Sequence, residues 1–479
     1  KSPPVSAITT KIDLRIKRND QGEIARYKAR LVARGFTQVE GVDFHETWAP
    51  TCRPETLRAL LIATDARKGV IHHVDVDCAF LNAPLEEELY IKLPKGSGHE
   101  GCARLRNALY GLKQAGNAWY KRLCTSLQQD GWNVGYSDAC LYKRQVRGKP
   151  QWILVYVDDI LLAADTVQEV NEIKEELRER FSLKDLGEVK YFLGVSIHRQ
   201  ADQGTTWIGQ TQYTLDTINQ FKDEIGITIR TTPLDKAPEV SKVEVDPERA
   251  NLYRSIVGKI GYLARWTRPD LAVVFSVLGR HQQTPGDDAF ALASRVLGYL
   301  WYTRDNGLFL GGRDVNKGIT VYTDSDWASD VKGRRSQSGY ISFILGGAVS
   351  WNSVKQHSVA LSTMEAEFMA ASEAVKEGMH LKKVAMDLEL KLISDSVEIL
   401  CDNQPALQAL KRPACHSKAK HIDIRYNFVR EAVSDGTINT KYVPTDRNLA
   451  DPLTKGLGKT LLHRLVSSWG IGSRGRVIV

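Results

Sequence analysis

The stretch Gln151-Trp-Ile-Leu-Val-Tyr-Val-Asp-Asp-Ile-Leu-Leu-Ala-Ala is the most informative part of the chain for the fold. Two adjacent aspartates, Asp158 and Asp159, stand between two apolar runs of β-forming residues. One interpretation is a tight hairpin with Asp-Asp as its turn, because Asp tolerates turn geometry. The flanking runs are apolar enough to be buried, however, and buried carboxylates repel each other unless a cation compensates them. A divalent metal site is therefore the second interpretation.

A second β-forming run, His72-His-Val-Asp-Val-Asp-Cys-Ala-Phe, places a further carboxylate at Asp75. Three carboxylates from neighbouring strands can bind a pair of Mg²⁺ ions about 3.5–4 Å apart, which activate a 3′-hydroxyl and stabilise a leaving pyrophosphate. Asp77 shares the face of Asp75 only if the strand stays regular, and otherwise lies at its end.

Composition sets wide limits on the class of protein. The 479 residues allow about three domains. A hydrophobic fraction of 42% and a charged fraction of 25% exclude a disordered or collagen-like chain. The seven cysteines show no CxxC spacing, which excludes a zinc ribbon and favours reduced, intracellular thiols. The net charge of +8 is compatible with a polyanionic partner.

The ends and the apolar runs add two expectations. The runs 152–157 and 160–164 are too short to span a bilayer, and no secretory signal opens the chain. The chain begins at Lys1 rather than at Met, so we expect a fragment or a product cut from a polyprotein.

Periodicity predicts a mixed succession of helices and strands. Helices are predicted over 54–69, 167–181, 213–221, 252–266, 285–304 and 365–388. Strands are predicted over 319–327, 339–345, 348–351, 397–401 and 440–443. Polar connectors at 200–206 and 231–246 separate an N-terminal portion from a later α/β unit.

The later unit has its own set of acids. Asp324 and Asp402 stand at strand ends, Glu365 and Glu367 at a helix start, and Asp451 in the last helical region. A capping box explains one of the two glutamates but not both. Acids that converge from distant positions in this way assemble a two-metal nuclease.

Several motifs occur in the order and spacing of one known family. They are Tyr27-Lys-Ala-Arg-Leu-Val-Ala-Arg-Gly-Phe-Thr-Gln, Val74-Asp-Val-Asp-Cys-Ala-Phe-Leu-Asn-Ala-Pro-Leu, Leu109-Tyr-Gly-Leu-Lys-Gln-Ala, Tyr156-Val-Asp-Asp and Leu186-Gly-Glu-Val-Lys-Tyr-Phe-Leu-Gly. With the later acids, they make the chain resemble the reverse transcriptase and RNase H part of the Gag-Pol polyprotein of copia-type (Pseudoviridae) long-terminal-repeat retrotransposons.

The resemblance implies a multidomain α+β and α/β fold. It places polymerase fingers and palm at 1–195, thumb and connection, expected to be helical, at 196–315, and an RNase H-like domain at 316–479. The implied activity is RNA- and DNA-directed DNA synthesis coupled to degradation of the copied RNA. No protease or integrase pattern is found.

The resemblance also assigns polymerase residues. Asp75 and Asp158 match the metal-binding aspartates, and Asp159 a less essential third. Phe80 matches an aromatic gate against the ribose 2′-hydroxyl, with core packing as its alternative. Lys28 and Arg30 would contact the triphosphate, with a solvated strand face as their alternative. Gly111, Lys113 and Gln114 would contact nucleotide and template. Phe192-Leu-Gly would hold the primer.

In the RNase H-like part, the implied tetrad is Asp324, Glu367, Asp402 and Asp451, and Glu365 remains an alternative to Glu367. The basic segments 333–339 and 418–426 are suited to phosphate contacts. The chain departs from the family pattern at Gly116-Asn117, at Asn427 and in the segment before Lys17.

The implied cofactor is Mg²⁺ or Mn²⁺, with two ions in each active site. Implied partners are an RNA template, RNA–DNA hybrid, DNA, dNTP substrates and a tRNA primer, with no membrane. A dimer and association with integrase are compatible with the resemblance, as is a location in a cytoplasmic virus-like particle or in the nucleus with the pre-integration complex. Rival interpretations are a non-catalytic nucleic-acid-binding protein from a decayed or co-opted element and a telomerase-like polymerase.

Overall fold

A computed structural model describes residues 7–18, 24–94, 98, 101–200, 203–235, 246–311, 318–330, 332–411 and 420–475. They belong to two compact units. The first unit comprises residues 1–52 and 70–189, and the second comprises 53–69 and 190–479. Within the described ranges, we find no helix with the length and apolar character that crossing a membrane requires.

The elements up to residue 189 are β1 (Thr10–Arg18), β2 (Ile24–Ala33), α1 (Pro54–Ala66), β3 (Val70–Val76), β4 (Tyr90–Lys92), β5 (Cys102–Arg104), α2 (Ala115–Gln129), β6 (Asn133–Val134), β7 (Leu141–Val146), β8 (Lys149–Tyr156), β9 (Asp159–Ala164), α3 (Val167–Arg178) and β10 (Leu183–Glu188). The later elements are β11 (Tyr191–Phe192), β12 (Val195–Gln200), β13 (Thr205–Gly209), α4 (Thr211–Ile225), α5 (Pro247–Trp266), α6 (Ala272–Gly279), α7 (Asp287–Tyr302), β14 (Asn306–Gly311), β15 (Ile319–Asp326), β16 (Gln337–Ile344), β17 (Gly347–Lys355), α8 (Thr363–Asp387), β18 (Val397–Cys401), α9 (Gln404–Lys411), α10 (Lys420–Ser434), β19 (Ile438–Tyr442), α11 (Lys459–Ser468) and β20 (Ile471–Ser473).

The first unit is built on a six-stranded antiparallel sheet in the order β10-β3-β9-β8-β7-β6. Its most apolar strands, β8 and β9, are buried, as their composition predicted. Helices α2 and α3 share one apolar core with this sheet. α3 begins with a capping box between Thr166 and Glu169, which explains why the predicted helix starts there.

A separate two-stranded ribbon of the first unit, β1-β2, carries Lys28 and Arg30 of the 27–38 motif. Lys28 pairs with Arg15 and Arg30 with Asp13, so these side chains share one face of the ribbon.

The second unit contains a sheet in the order β17-β16-β15-β18-β19. β15, β16 and β17 are antiparallel neighbours, whereas β18 and β19 run parallel to β15. The three predicted consecutive strands are confirmed, and so is the predicted helix α8, which packs on β15 and β16. Parallel pairing brings the carboxyl ends of β15 and β18 to the same edge of the sheet.

The region expected to form a helical connection is only partly helical. α4, α5, α6 and α7 share an apolar core, but β11, β12, β13, β14 and β20 form a second sheet. The polar stretch at 200–206 is predicted as a connector, but Gln200 lies in β12 and pairs with Thr205 of β13, so its described ends belong to two antiparallel strands. The polar residues that favour turns between strands also favour linkers between domains, which explains why a connector was predicted here. The predicted division at 195 and 315 stays a prediction.

Helix α1 belongs to the second unit, although it precedes Asp75, Asp158 and Asp159 of the first unit in the sequence. Asp65 at its end forms a buried ion pair with Arg199 of β12, at 2.7 Å, and accepts a hydrogen bond from Thr206. This packing could not be predicted from the helical periodicity of 54–69.

Candidate active sites

Asp158 and Asp159 lie at the tip of the β8-β9 hairpin. The turn residues are Val157 and Asp158, and Asp159 is the first residue of β9, so the Asp-Asp turn of the first interpretation is wrong by one residue. Val157 has a φ of 57°, a left-handed conformation that is costly for a β-branched residue. The structure maintains this strained turn where it presents the two carboxylates.

Strand pairing brings Asp75 to the same place. Asp75 lies directly opposite Asp159 in the β3-β9 ladder, and the Val76 N–H donates to the Asp158 carbonyl at 2.9 Å. Asp77 lies beyond the end of β3, is exposed and accepts a hydrogen bond from Ser182 Oγ at 2.8 Å. We call Asp75, Asp158 and Asp159 the first cluster.

The first cluster is electrostatically strained. Burial raises the pKa of Asp75, and the charges of Asp158 and Asp159 raise it further. Burial also raises the pKa of Asp158, against the opposing charges of Lys28 and Arg30. These two cations therefore act on Asp158 from the β1-β2 ribbon.

His73 is a neighbour of the first cluster that the sequence reasoning missed. Its Nε2 lies 2.9 Å from Asp159 Oδ1, and it stands two residues before Asp75 on β3. A period-two strand places residues two apart on one face, so this spacing was a usable signal. The contact holds the third carboxylate in one orientation.

Phe80 lies in the 3₁₀ turn 79–82 that follows β3. Its ring meets Tyr110 edge-on, with centroids 5.1 Å apart, and the Arg30 guanidinium lies 5.1 Å from the Tyr110 centroid. Tyr110, also absent from the predicted set, thus links the predicted gate to a predicted triphosphate ligand.

The other predicted nucleotide-pocket residues have structural contacts. Gly111, with φ of 92°, packs so closely that a Cβ would meet the Ala33 carbonyl oxygen at 2.1 Å. Gln114 is buried and accepts a hydrogen bond from Gln38 Nε2 at 3.0 Å. The Lys113 ammonium lies 4.7 Å from the ring centroid of Phe44. Their roles toward nucleotide and template stay predictions.

The departure at Gly116-Asn117 has a local explanation for one of its residues. Asn117 is buried, and its Nδ2 donates to the Trp48 carbonyl at 2.7 Å.

The predicted primer-grip motif forms the β11-β12 hairpin in the second unit, where Leu193 and Gly194 have φ of 47° and 75°.

The second unit assembles the predicted tetrad, which we call the second cluster. Asp324 lies on β15, Glu367 in the second turn of α8, Asp402 directly after β18, and Asp451 in the 3₁₀ turn 451–453. Ligand oxygens of Asp324, Asp402 and Asp451 all lie within 4.8 Å of one another. The same holds for Glu367, Asp402 and the Cys401 thiol.

The structure separates the two candidate glutamates. Glu365 is half-buried and caps the helix, since its side chain accepts from Leu361 N at 2.7 Å and its N–H donates to Ser362 Oγ. Glu367 is buried beside Asp402 and accepts from Ser325 N at 3.3 Å.

Burial dominates the electrostatics of the second cluster. It raises the pKa of Glu367 to about 9 and that of Asp451 to about 7, and the charge of Asp324 adds to both effects. Thr454 Oγ1 donates to Asp324, and the Lys455 ammonium lies 3.7 Å from Asp324 Oδ2 and 3.3 Å from Asp451 Oδ1. Lys455 was not predicted, although its i+4 spacing from Asp451 was visible in the sequence.

The donor sets fit hard divalent cations, because both clusters consist of carboxylates, and buried carboxylates are stable in the ionised form only near a cation. The second cluster is the tighter one. Ligand oxygens of three carboxylates lie within 4.8 Å of one another in the second cluster, whereas the described residues of the first cluster do not come together so closely.

The two predicted basic segments, 333–339 and 418–426, differ in how much of their structure is described and how exposed they are. Arg334 and Arg335 are exposed, while the neighbouring stretch 336–339 is buried at the start of β16. In the segment 418–426, residues 418 and 419 and the side chains of the others lie outside the described part of the chain, whereas Asn427 is exposed on α10.

Comparison with known proteins finds relatives whose similarity extends over both units of the chain. The family model described as reverse transcriptase (RNA-dependent DNA polymerase) matches residues 3–234. The chain is 35% identical over 455 residues to a retrovirus-related Pol polyprotein from transposon TNT 1-94 of Nicotiana tabacum, across 92% of this chain and 34% of that relative. It is 33% identical over 315 residues to a transposon Ty5-1 protein of Saccharomyces cerevisiae, across 64% of this chain and 100% of that relative.

The chain thus spans about a third of the length of the tobacco relative. The foamy viral protease-reverse transcriptase, solved in complex with RNA/DNA hybrid, is 17% identical with a TM-score of 0.49, over 91% of this chain and 50% of that chain. That similarity is too low to support an inference about chemistry. The family match over residues 3–234 and the sheets of both units agree with the predicted fold class, a multidomain α+β and α/β chain with a polymerase fold followed by an RNase H-like domain.

Proposed function

Because the chain belongs to the reverse transcriptase family of copia-type retrotransposon Pol polyproteins, we propose that it copies retrotransposon RNA into DNA and degrades the copied RNA. It would act as an RNA- and DNA-directed DNA polymerase and as an RNase H. The observation that carries the proposal is the presence of two carboxylate clusters in one chain, one within each compact unit.

Each cluster would hold two Mg²⁺ or Mn²⁺ ions. When bound, such ions activate the attacking hydroxyl or water and neutralise charge on the leaving oxygen. In the first cluster, Asp75 and Asp158 would be the principal ligands. Lys28 and Arg30, whose charges already reach Asp158, would attract the triphosphate of the incoming nucleotide.

Selection of deoxynucleotides would fall to Phe80. Its ring is held edge-on by Tyr110, and a side chain with a fixed ring can exclude a 2′-hydroxyl by contact. The wall against the ribose would therefore be rigid.

In the second cluster, Asp324, Glu367, Asp402 and Asp451 would hold the ions that act on the RNA strand. The exposed Arg334 and Arg335 would contact backbone phosphates of the hybrid, which the protein reads by shape and 2′-hydroxyls. RNA template, hybrid, DNA, dNTPs and a tRNA primer are the proposed partners, with binding that weakens as salt rises.

Primer extension on an RNA template and cleavage of a labelled RNA–DNA hybrid test the proposal. Asp158→Asn is expected to abolish extension and spare cleavage, and Asp402→Asn to do the reverse. Asp77→Asn and Glu365→Gln are matched controls, because each removes a nearby acid that lies outside the clusters. A wild-type chain that binds hybrid but neither extends nor cuts it would instead identify a non-catalytic nucleic-acid-binding protein.

A further inference from the structure

Lys455 occupies an unusual position in the second cluster. Its ammonium lies 3.3 Å from Asp451 Oδ1 and 3.7 Å from Asp324 Oδ2, so it stands between two of the three carboxylates that are close enough to share a cation. The two carboxylate side chains are only 3% and 5% exposed, whereas the lysine side chain is 35% exposed.

The contacts are ionic and loosely directed. Asp451 Oδ1 is buried and has no hydrogen-bond partner of good geometry in the described part of the chain, although Lys455 is close to it. The other neighbour, Asp324, has a directed hydrogen bond from Thr454. An ammonium on a flexible stem, held by charge rather than by directed hydrogen bonds, can leave at little geometric cost.

We propose that Lys455 is an internal counter-ion that occupies the cation position between Asp324 and Asp451 and is displaced when a divalent cation binds there. The inference rests on the proposed function, since it takes the second cluster to be a metal centre. Lys455 is a positioning residue in this role. It sets the affinity of the second cluster for the divalent cation but does not coordinate that cation.

Two consequences of opposite sign follow. Without a divalent cation, the ammonium offsets the repulsion between buried carboxylates and so stabilises the fold. With a divalent cation, the ammonium competes for the same oxygens and so weakens binding. A lysine that merely supports the structure would lower both stability and affinity when removed.

The probe is Mn²⁺ alone, titrated into the full chain at constant ionic strength and followed by electron paramagnetic resonance. Every protein carries Asp75→Asn and Asp158→Asn, so that the first cluster does not contribute. Lys455→Met keeps the length of the side chain and removes its charge, Lys455→Arg keeps the charge, and Lys459→Met removes an exposed lysine nearby.

We expect Lys455→Met to bind Mn²⁺ about tenfold more tightly than the parent and to melt at a lower temperature in EDTA. Lys455→Arg and Lys459→Met should bind like the parent, and adding Asp402→Asn should weaken binding in every protein. Lys455→Gln, with a shorter neutral side chain, must shift the affinity in the same direction and serves if Lys455→Met does not fold.

Unchanged or weaker Mn²⁺ binding in both neutral variants would overturn the inference, and so would Mn²⁺ binding that is insensitive to Asp402→Asn. Neither readout depends on catalysis. If the affinity shifts as expected while a chain with both clusters intact cleaves no hybrid, the proposed function fails and the counter-ion role stands.

Discussion

Glu367 destabilises the second unit measurably when no metal is bound to the second cluster. Burial and the neighbouring aspartates raise its pKa from the usual 4.5 to about 9. Between these two pH values Glu367 binds one more proton in the native state than in the unfolded state, so its contribution to the free energy of unfolding falls as pH rises. Each pKa unit corresponds to about 1.36 kcal/mol, so the 2.5 units between 4.5 and pH 7 amount to roughly 3 kcal/mol.

Glu367→Gln removes this burden, because glutamine has the shape of the protonated acid and does not titrate. We expect the variant to be more stable than wild type by about 3 kcal/mol at pH 7 in EDTA, and by less than about 1 kcal/mol at pH 5. Amide hydrogen exchange of α8 and β15, followed by mass spectrometry, measures the free energy of opening of the second unit itself.

The matched control is Glu365→Gln, two residues earlier on the same helix. Glu365 is half-buried at the helix start and lies outside the second cluster, and glutamine can also serve in a capping box, so this variant should stay within about 0.5 kcal/mol of wild type at both pH values. A Glu367→Gln variant that is no more stable than wild type at pH 7, or equally stabilised at pH 5 and 7, would refute the reasoning.

Three further outcomes are expected. Arg199→Leu leaves the carboxylate of Asp65 buried without its partner and should destabilise the chain by about 3–5 kcal/mol in urea unfolding. Phe80→Val should raise ribonucleotide incorporation relative to deoxynucleotides about tenfold or more in single-nucleotide extension assays, because the ring no longer contacts the 2′-hydroxyl. His73→Leu should raise the Mg²⁺ concentration needed for extension severalfold, whereas His73→Gln, which can still donate to Asp159, should restore most of it.

Each outcome has a clear contrary result. An Arg199→Leu variant as stable as wild type would mean that water reaches Asp65. Unchanged nucleotide selection in Phe80→Val would support core packing, the alternative role of that ring. Equal Mg²⁺ requirements in the two His73 variants would show that the histidine supports the strand without orienting the carboxylate.

Much of the chemistry could be predicted from local patterns. Apolar runs interrupted only by Asp158 and Asp159 predict a buried hairpin with acids at its tip, and the structure contains one. The spacing of acids at strand ends predicts a second cluster, and the parallel pairing of β15 with β18 provides the common edge on which Asp324 and Asp402 meet. Residue type and periodicity sufficed because they depend on neighbours in the chain.

What only the tertiary structure decided is which distant groups meet. The choice between Glu365 and Glu367 depended on which helix face meets β18, and the contact of His73 with Asp159 depended on strand register. The same is true of Lys455 between two carboxylates, and of helix α1, whose Asp65 pairs with Arg199 far along the chain. A periodic pattern states which face of an element is buried, but the partner on that face is set by packing and register across residues that are remote in sequence.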